Sequence, residues 1–561
     1  MANLHSSKSS KKSTKSTSFV KQMLGETKVE TKVDQYLSKN ELPEEAVARV
    51  LLTGILKNQF YRSADDAAKE ALPLLIERAK KDPEFLLKAA CVARNSHMKG
   101  MVKVALAAIA GSSDERFLDL ELTKEVAVAL LSTFHPGQLI QFVELCKSKK
   151  FGRGFGSRSQ KWVRATMEKW GYRKLENFTL KYPTALNQLV RLVHPRYTDA
   201  RGGLIKYVLD GRKADATGAR QKVVEHMKKL TNSKDIAKEM LEHEIPWDVV
   251  KGFAGMKDDI AIASMTQMGL TALLLNIRSL EQHNVFSSTG GIAALKLKMK
   301  EVQDGRAIPL DFAKPYIHAT NSEVKSVLLD AMVHTLDVPM GAIEGLDVAV
   351  SVDISGSMNG ETLQTAGLLA VPFLKAKSLW FTTFDTGLYE EGVSHSSGRH
   401  EMFGGAGGYC PKLKGLPRKT QVQNLLSMRT AGGTNVSVSV EHALARGRKV
   451  DVFVLITDEQ QNAGTPIMTV WKKYLAKVNP NAQLWVINAT NYQWHSADFG
   501  EPSVTVYQTM TPALFKNLEY VGQNLTTAIR KFSLKEFVQE QLKSKTQVQE
   551  TEEPAETETA E

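Results

Sequence analysis

The sequence predicts a multidomain chain: an all-α region of helical repeats, then an α/β domain with a doubly wound parallel sheet. Three observations predict it. Between residues 30 and 335, segment after segment places apolar side chains at i, i+3, i+4 and i+7, the period of an amphipathic helix. Near residue 340 the texture changes to short, almost continuous apolar runs alternating with amphipathic segments, as parallel strands buried on both faces require. The chain also has 561 residues, more than one ordinary domain holds.

Taken in order, residues 1–25 are basic and Ser-rich and read as a disordered tail, with no apolar segment of a secretory signal behind them. Helices are expected over LPEEAVARVLLTGILKNQF, DAAKEALPLLIERAKK, DPEFLLKAACVARNS, MVKVALAAIA, EVAVALLSTF and PGQLIQFVELCKS, often introduced by Asp, Ser or Pro. Their short joints suggest stacked antiparallel pairs, an α-solenoid with no crisp sequence period. GLTALLLNIRSL and SEVKSVLLDAMVHTLD close this module, which spans 26–338. The α/β domain spans 340–537. LDVAVSVD, SLWFTTF, DVFVLITD, AQLWVINAT and SVTVYQT read as strands. ETLQTAGLLAVPFL up to its proline, VSVEHALARGRK, IMTVWKKYLAKV and ALFKNLEYVGQNLTTAIRKF read as helices. The Gly-rich stretch 387–415 reads as a long inserted loop. Residues 540–561 read as a disordered acidic tail.

Hydrophobic residues make up 42% of the chain, enough to fill globular cores, and no apolar run reaches the ~18 residues of a membrane helix. Cys91, Cys146 and Cys410 are odd in number and far apart. That argues against a disulfide frame or a structural zinc site and for a reducing, cytoplasmic setting. The formal net charge of +12 is uneven: Lys147 to Lys229 holds 21 Lys and Arg against 6 Asp and Glu. Within this window Lys and Arg interleave with Phe151, Phe155, Trp162, Trp170 and Tyr172. Such a stripe is the electrostatic footprint of a phosphate backbone, and the aromatics can stack unpaired bases. A solvated helical face is the competing reading.

The stretch LDVAVSVDISGSMNG ends an apolar strand in Asp353, Ser355 and Ser357. In open α/β sheets, ligands sit beyond the carboxyl ends of the strands. Alternate residues face one side, so this carboxylate and the two hydroxyls converge. All are hard oxygen donors, a set suited to Mg²⁺ or Mn²⁺. Further ligands are sought in Thr434 of the AGGTNVS loop and Asp458 at the end of FVLITDEQ. No nucleophile stands beside an evident base, and no G-x-x-x-x-G-K-[ST] loop occurs.

The order DxSxS, Thr, Asp resembles the metal-ion-dependent adhesion site of von Willebrand factor A domains. The resemblance implies a Rossmann-like fold and a divalent cation, Mg²⁺, arranged by Asp353, Ser355, Ser357, Thr434 and Asp458. It also implies an open position for an acidic group of a partner. Preceded by helical repeats, with GFGSRSQKWVRATMEKW, LVRLVHPRY and GLTALLLNI, the whole resembles the Ro ribonucleoprotein family and its helical module, TROVE. That implies a ring of HEAT-like helices closed by the A domain, with no catalytic residues. The family's ligands are small structured noncoding (Y-like) RNA on the outer surface and single-stranded 3′ ends of misfolded RNA. Carried over by motif, Lys161, Arg164, Lys181, Arg191 and His194 are the expected RNA contacts. A protein partner such as an exonuclease would use the metal site. The alternative is a metal-dependent protein-interaction module partnering an ATPase or nuclease.

Overall fold

The computed structural model of the chain describes residues 64–95, 99–112, 117–148, 150–210, 218–256, 258–300, 309–336, 341–391, 409–458, 462–489, 503–508 and 525–541, preceded by the single positions Glu44, Val47, Ala48 and Leu51. Outside these residues lie the tail expected at 1–25, the first expected helix apart from Glu44, Val47, Ala48 and Leu51, the centre of the 387–415 loop, and the acidic tail expected at 540–561 apart from Glu540 and Gln541, which are helical and not part of a tail. Two compact units divide the chain. One holds Met1–Leu52, Asp65–Thr217 and Leu525–Glu561; the other holds Thr53–Ala64 and Gly218–Asn524.

Between residues 64 and 217 the described helices, those of the first unit, are α1 (Ala64–Lys81), α2 (Pro83–Asn95), α3 (Lys99–Ser112), α4 (Leu120–Leu131), α5 (Pro136–Lys147), α6 (Ser157–Glu168), α7 (Tyr172–Lys181), α8 (Pro183–Val193) and α9 (Arg201–Leu209). Local chemistry sets their ends. Asp119 caps α4 through Leu122 N, and prolines open α2, α5 and α8, where a missing N–H costs nothing. Packing runs between consecutive helices (α2 on α3) and between alternate ones (α3 on α5, α4 on α6, α7 on α9), the pattern of stacked helical repeats.

In the second unit, α10 (Ala219–Met227), α11 (Ser233–Glu242), α12 (Trp247–Ala254), α13 (Asp258–Gln267), α14 (Leu270–Gln282), α15 (Thr289–Lys300), α16 (Ala313–His318) and α17 (Ser322–Thr335) continue the helical repeats. They lead into a six-stranded sheet: β1 (Asp347–Asp353), β2 (Ser378–Phe384), β3 (Leu388–Glu390), β4 (Val452–Thr457), β5 (Gln483–Asn488) and β6 (Val504–Gln508). Its order is β3-β2-β1-β4-β5-β6, parallel throughout except for the antiparallel edge strand β3. The helices of this part are α18 (Glu361–Ala370), α19 (Arg418–Leu426), α20 (Val438–Arg446) and α21 (Ile467–Lys477). α18 gives way to a 3-10 turn at Pro372, as the sequence required. α16 and α17 pack against α18 and α19.

The five expected strands and the expected helices that fall on described residues are present. Two elements were not expected. β3 lies inside the stretch read as loop, because three residues show no period. α19 lies just beyond that stretch, its apolar residues reduced to Val422, Leu425 and Leu426. All three cysteines are buried free thiols. No helix among the described residues is long and apolar enough to cross a membrane.

Helix α22 (Leu525–Lys531), followed by a last helical stretch over 534–541, belongs to the first unit and packs on α2. Arg530 forks onto Glu44 through Nε (2.9 Å) and Nη2 and bonds Asp82 (3.0 Å). Lys88 holds the Arg530 carbonyl at 3.0 Å, and both Arg530 and Arg78 lie over the Phe85 ring. Arg530→Glu sets a third carboxylate against Glu44 and Asp82. Deuterium exchange across 525–541 is expected to quicken several-fold, with the difference shrinking at high salt because the site is half exposed.

Candidate metal centre and nucleic-acid interface

The strand order reverses between β1 and β4. That reversal opens a crevice at the carboxyl ends of two central strands. Asp353 is the last residue of β1. Registered pairs Val348↔Val452 through Val352↔Ile456 place Asp353 level with Thr457, and Asp458 one step beyond β4. Asp353, Asp458, Ser355 and Thr434 are all almost wholly buried, while Ser357 is exposed at the mouth.

Asp353 is tightly positioned. Its Oδ1 accepts from Ser355 N at 2.8 Å, folding the chain back in an Asx-type turn, and its Oδ2 accepts from Thr457 Oγ1 at 2.5 Å. Ser355 Oγ and Ser357 Oγ stand 3.2 Å apart. Burial pushes the Asp353 carboxyl up to about 6. Hydrogen bonds from Thr457 and Ser355 pull it back, and the Asp458 charge adds to the push. No Lys or Arg among the described residues forms an ion pair with Asp353. A divalent cation would supply the missing positive charge, and the donors are hydroxyl and carboxylate oxygens only. The donor chemistry of the five predicted residues is of the kind that suits Mg²⁺.

Main-chain bonds lock the loops together. Ala431 N donates to Ile354 O (2.6 Å), Gly356 N to Gly432 O (3.1 Å), and Ile354 N to Phe384 O (2.8 Å). Asn462, just past β4, accepts from Thr434 N through Oδ1 (2.9 Å), while its own N–H reaches Thr434 O (3.1 Å). The sequence reading missed a third buried carboxylate, Asp385, at the end of β2. Its side chain accepts from Gly387 N (2.8 Å) and Tyr389 Oη (3.0 Å), and its carbonyl from Asn435 N (2.7 Å). The signal was present: FTTFD ends a strand in Asp, just as FVLITD does. Asp385 is the backstop of the Thr434 loop, because a Cβ on Gly432 would lie 2.6 Å from its Oδ2.

The predicted RNA contacts fall on three successive helices. Lys161 and Arg164 share one face of α6, and Arg191 and His194 share the end of α8. Arg164 Nε donates to Val193 O at 2.6 Å, which brings the first pair beside the second. His194 is exposed in the left-handed region, φ 47°, as the cap of α8. Arg191 is exposed, its Nε resting on Asn187 Oδ1 at 2.8 Å. Lys181 ends α7, half buried and the length of α8, about 16 Å, from this corner. Phe151, Trp162 and Trp170 are core residues at 0%, 2% and 1% exposure. They cannot stack bases, and of the interleaved aromatics only Tyr172, at 40%, is exposed. Several of the window's cations serve helix ends. Arg158 donates to Ile109 O, Lys174 to Ser132 O, and Arg201 to Glu168 O and Trp170 O.

No protein-family model and no curated protein sequence matches this chain. Its fold is similar to the crystal structure of the Deinococcus radiodurans RO (RSR) protein, with a TM-score of 0.67 and 19% identity, covering 85% of this chain and 99% of that one. The helical repeats followed by an α/β sheet domain are thus a shared architecture.

Gly432→Ala drives a methyl into a carboxylate that Tyr389 and Gly387 hold in place. It is expected to cost about 1–3 kcal/mol in chemical denaturation. Gly433→Ala meets the Asn462 and Thr386 side chains at 3.1–3.2 Å and should cost less.

Proposed function

We propose that this chain is a non-catalytic RNA-binding protein of Ro type, acting in RNA quality control or processing in the cytoplasm. Its ligands on this reading are small structured noncoding RNA and single-stranded 3′ ends of misfolded RNA. The observation that carries the reading is the architecture shared with the Ro protein over 85% of the chain. The exposed Arg191 and His194, beside Lys161 and Arg164, support it from the chain's own chemistry. Structured RNA is read by shape and backbone, since its deep major groove is closed to side chains. Arg191 neutralises phosphate, and His194, projected by its left-handed turn, bonds a phosphate, a 2′-hydroxyl or an exposed base. Lys181 extends the same surface along α8.

Arg191→Ala is expected to weaken binding of a stem-structured RNA with a 3′ tail about three- to tenfold and to reduce the salt slope by about 0.7–0.9. The melting temperature should stay unchanged. Unaltered affinity would remove Arg191 from the interface.

In this reading Asp353, Ser355, Ser357, Thr434 and Asp458 hold Mg²⁺. The ion supplies a docking point for an acidic group of a partner such as an exonuclease. The chain's own residues fix the site. Thr457 and Ser355 orient the Asp353 carboxylate, and Asp385 braces the loop that carries Thr434. Asp353→Ala is expected to abolish Mg²⁺ heat in calorimetry while leaving RNA affinity within about twofold, a change of ~0.4 kcal/mol. An unaltered Mg²⁺ titration would refute the assignment. The second reading, a metal-dependent protein-interaction module beside an ATPase or nuclease, rests on the same buried carboxylate pair. It expects purified protein to carry no nucleic acid.

A further inference from the structure

The parallel strands have a second end. At the amino ends of β1, β2, β4 and β5 the connections lie side by side and are tied by main-chain and buried polar bonds. Asp451 N donates to Asp347 O (2.8 Å), Gln483 N to Asp451 O (2.9 Å), and Asn479 Nδ2 to Val450 O (2.8 Å). Tyr474 Oη donates to Arg448 O (2.8 Å) and accepts from Val450 N (3.1 Å). The α20–β4 turn and the end of α21 thus form one rigid platform.

This platform carries Arg448, Lys449, Lys472, Lys473 and Lys477, all exposed. None forms an ion pair with an acidic side chain among the described residues. The local acids are engaged elsewhere: Glu344 with Lys375, Asp347 with Lys377, Glu390 with Arg446, and Asp451 through Oδ2 with the Asp347 N–H at 2.9 Å. Helix macrodipoles account for Arg446 and Lys477, each the last residue of its helix. They do not account for Arg448 and Lys449, which lie beyond the left-handed Gly447, nor for Lys472 and Lys473, which lie inside α21. Arg448 is further fixed with its guanidinium 4.5 Å over the Trp380 ring.

We propose that this basic pole of the sheet domain, opposite the metal centre, is a second contact for the phosphate backbone of RNA. The proposal rests on the RNA-binding reading above. A polyanion fits better than a protein. A protein interface needs an apolar core. Among the described residues this pole exposes no large hydrophobic side chain: the only one on the sheet domain, Tyr409, precedes the chain leading into α19. Cations on a fixed frame, Lys473 and Lys477 one helical turn apart, neutralise successive phosphates with little ordering cost.

The test compares the full chain with its Lys449→Gln/Lys473→Gln/Lys477→Gln variant. Binding of a tailed, stem-structured RNA is titrated at two salt concentrations, and RNA is photocrosslinked to the unaltered chain with mapping of the adducts. The expected result is about tenfold weaker binding, a salt slope smaller by roughly 2, and adducts within 446–449 or 472–477. Equal affinity and slope for the two proteins would overturn the proposal and leave the Arg191 surface standing. So would an acidic protein captured at this pole with RNA affinity unchanged. If the unaltered chain binds no RNA, the Ro-type reading falls first and this one with it.

Discussion

Asp353 and Asp458 lie out of water at the one place where the strand order reverses, and the sheet half of the molecule is arranged around that fact. Burying carboxylates is costly unless positive charge or hydrogen bonds compensate. Here hydrogen bonds do part of the work. Thr457 and Ser355 bond Asp353, and its carboxyl still sits well above the usual carboxylate range. An apolar replacement would suit the fold better. On the proposed reading, a cation supplies the rest of that compensation.

The surrounding loops follow from that requirement. Thr434 must approach the β1 end closely, so the chain before it is Gly432-Gly433. A side chain at either position would strike Asp385 or Asn462. Asp385 braces the loop from the β2 side, and Asn462 clasps it from the β4 side. Each loop is fixed by another strand's end, so the site is rigid because the sheet is rigid.

These features were unequally legible in the sequence. Strands such as DVFVLITD announce themselves because both faces are buried, and the ordered donors Asp353, Ser355, Ser357, Thr434 and Asp458 follow from strand ends. Asp385 obeys the same rule, but no hydroxyl motif flagged it. The basic window was legible as charge and not as surface. A count of Lys and Arg cannot tell Arg191, which is exposed and reaches a helix-end carbonyl only at 3.5 Å, from Arg164 or Arg201, which are half-buried on such carbonyls at 2.6–3.0 Å. The aromatics failed for a related reason. Trp162 shares a face with Val163, Thr166 and Met167, so helical period and not charge context decided its burial.

The parallel sheet also sorts charge by its own geometry. Each βα unit starts its helix at the carboxyl end of a strand and finishes it at the amino end of the next. Helix N-termini, which favour anions, therefore gather beside Asp353 and Asp458, and helix C-termini, which favour cations, gather at the other pole. That tendency explains Arg446 and Lys477. It ends within a turn of the helix terminus and does not reach past Gly447 to Arg448 and Lys449. On the two proposals made above, one pole meets an acidic group through a cation and the other meets a polyanion. The two lie at opposite ends of the strands, so a single domain of this topology would hold both at once without competition.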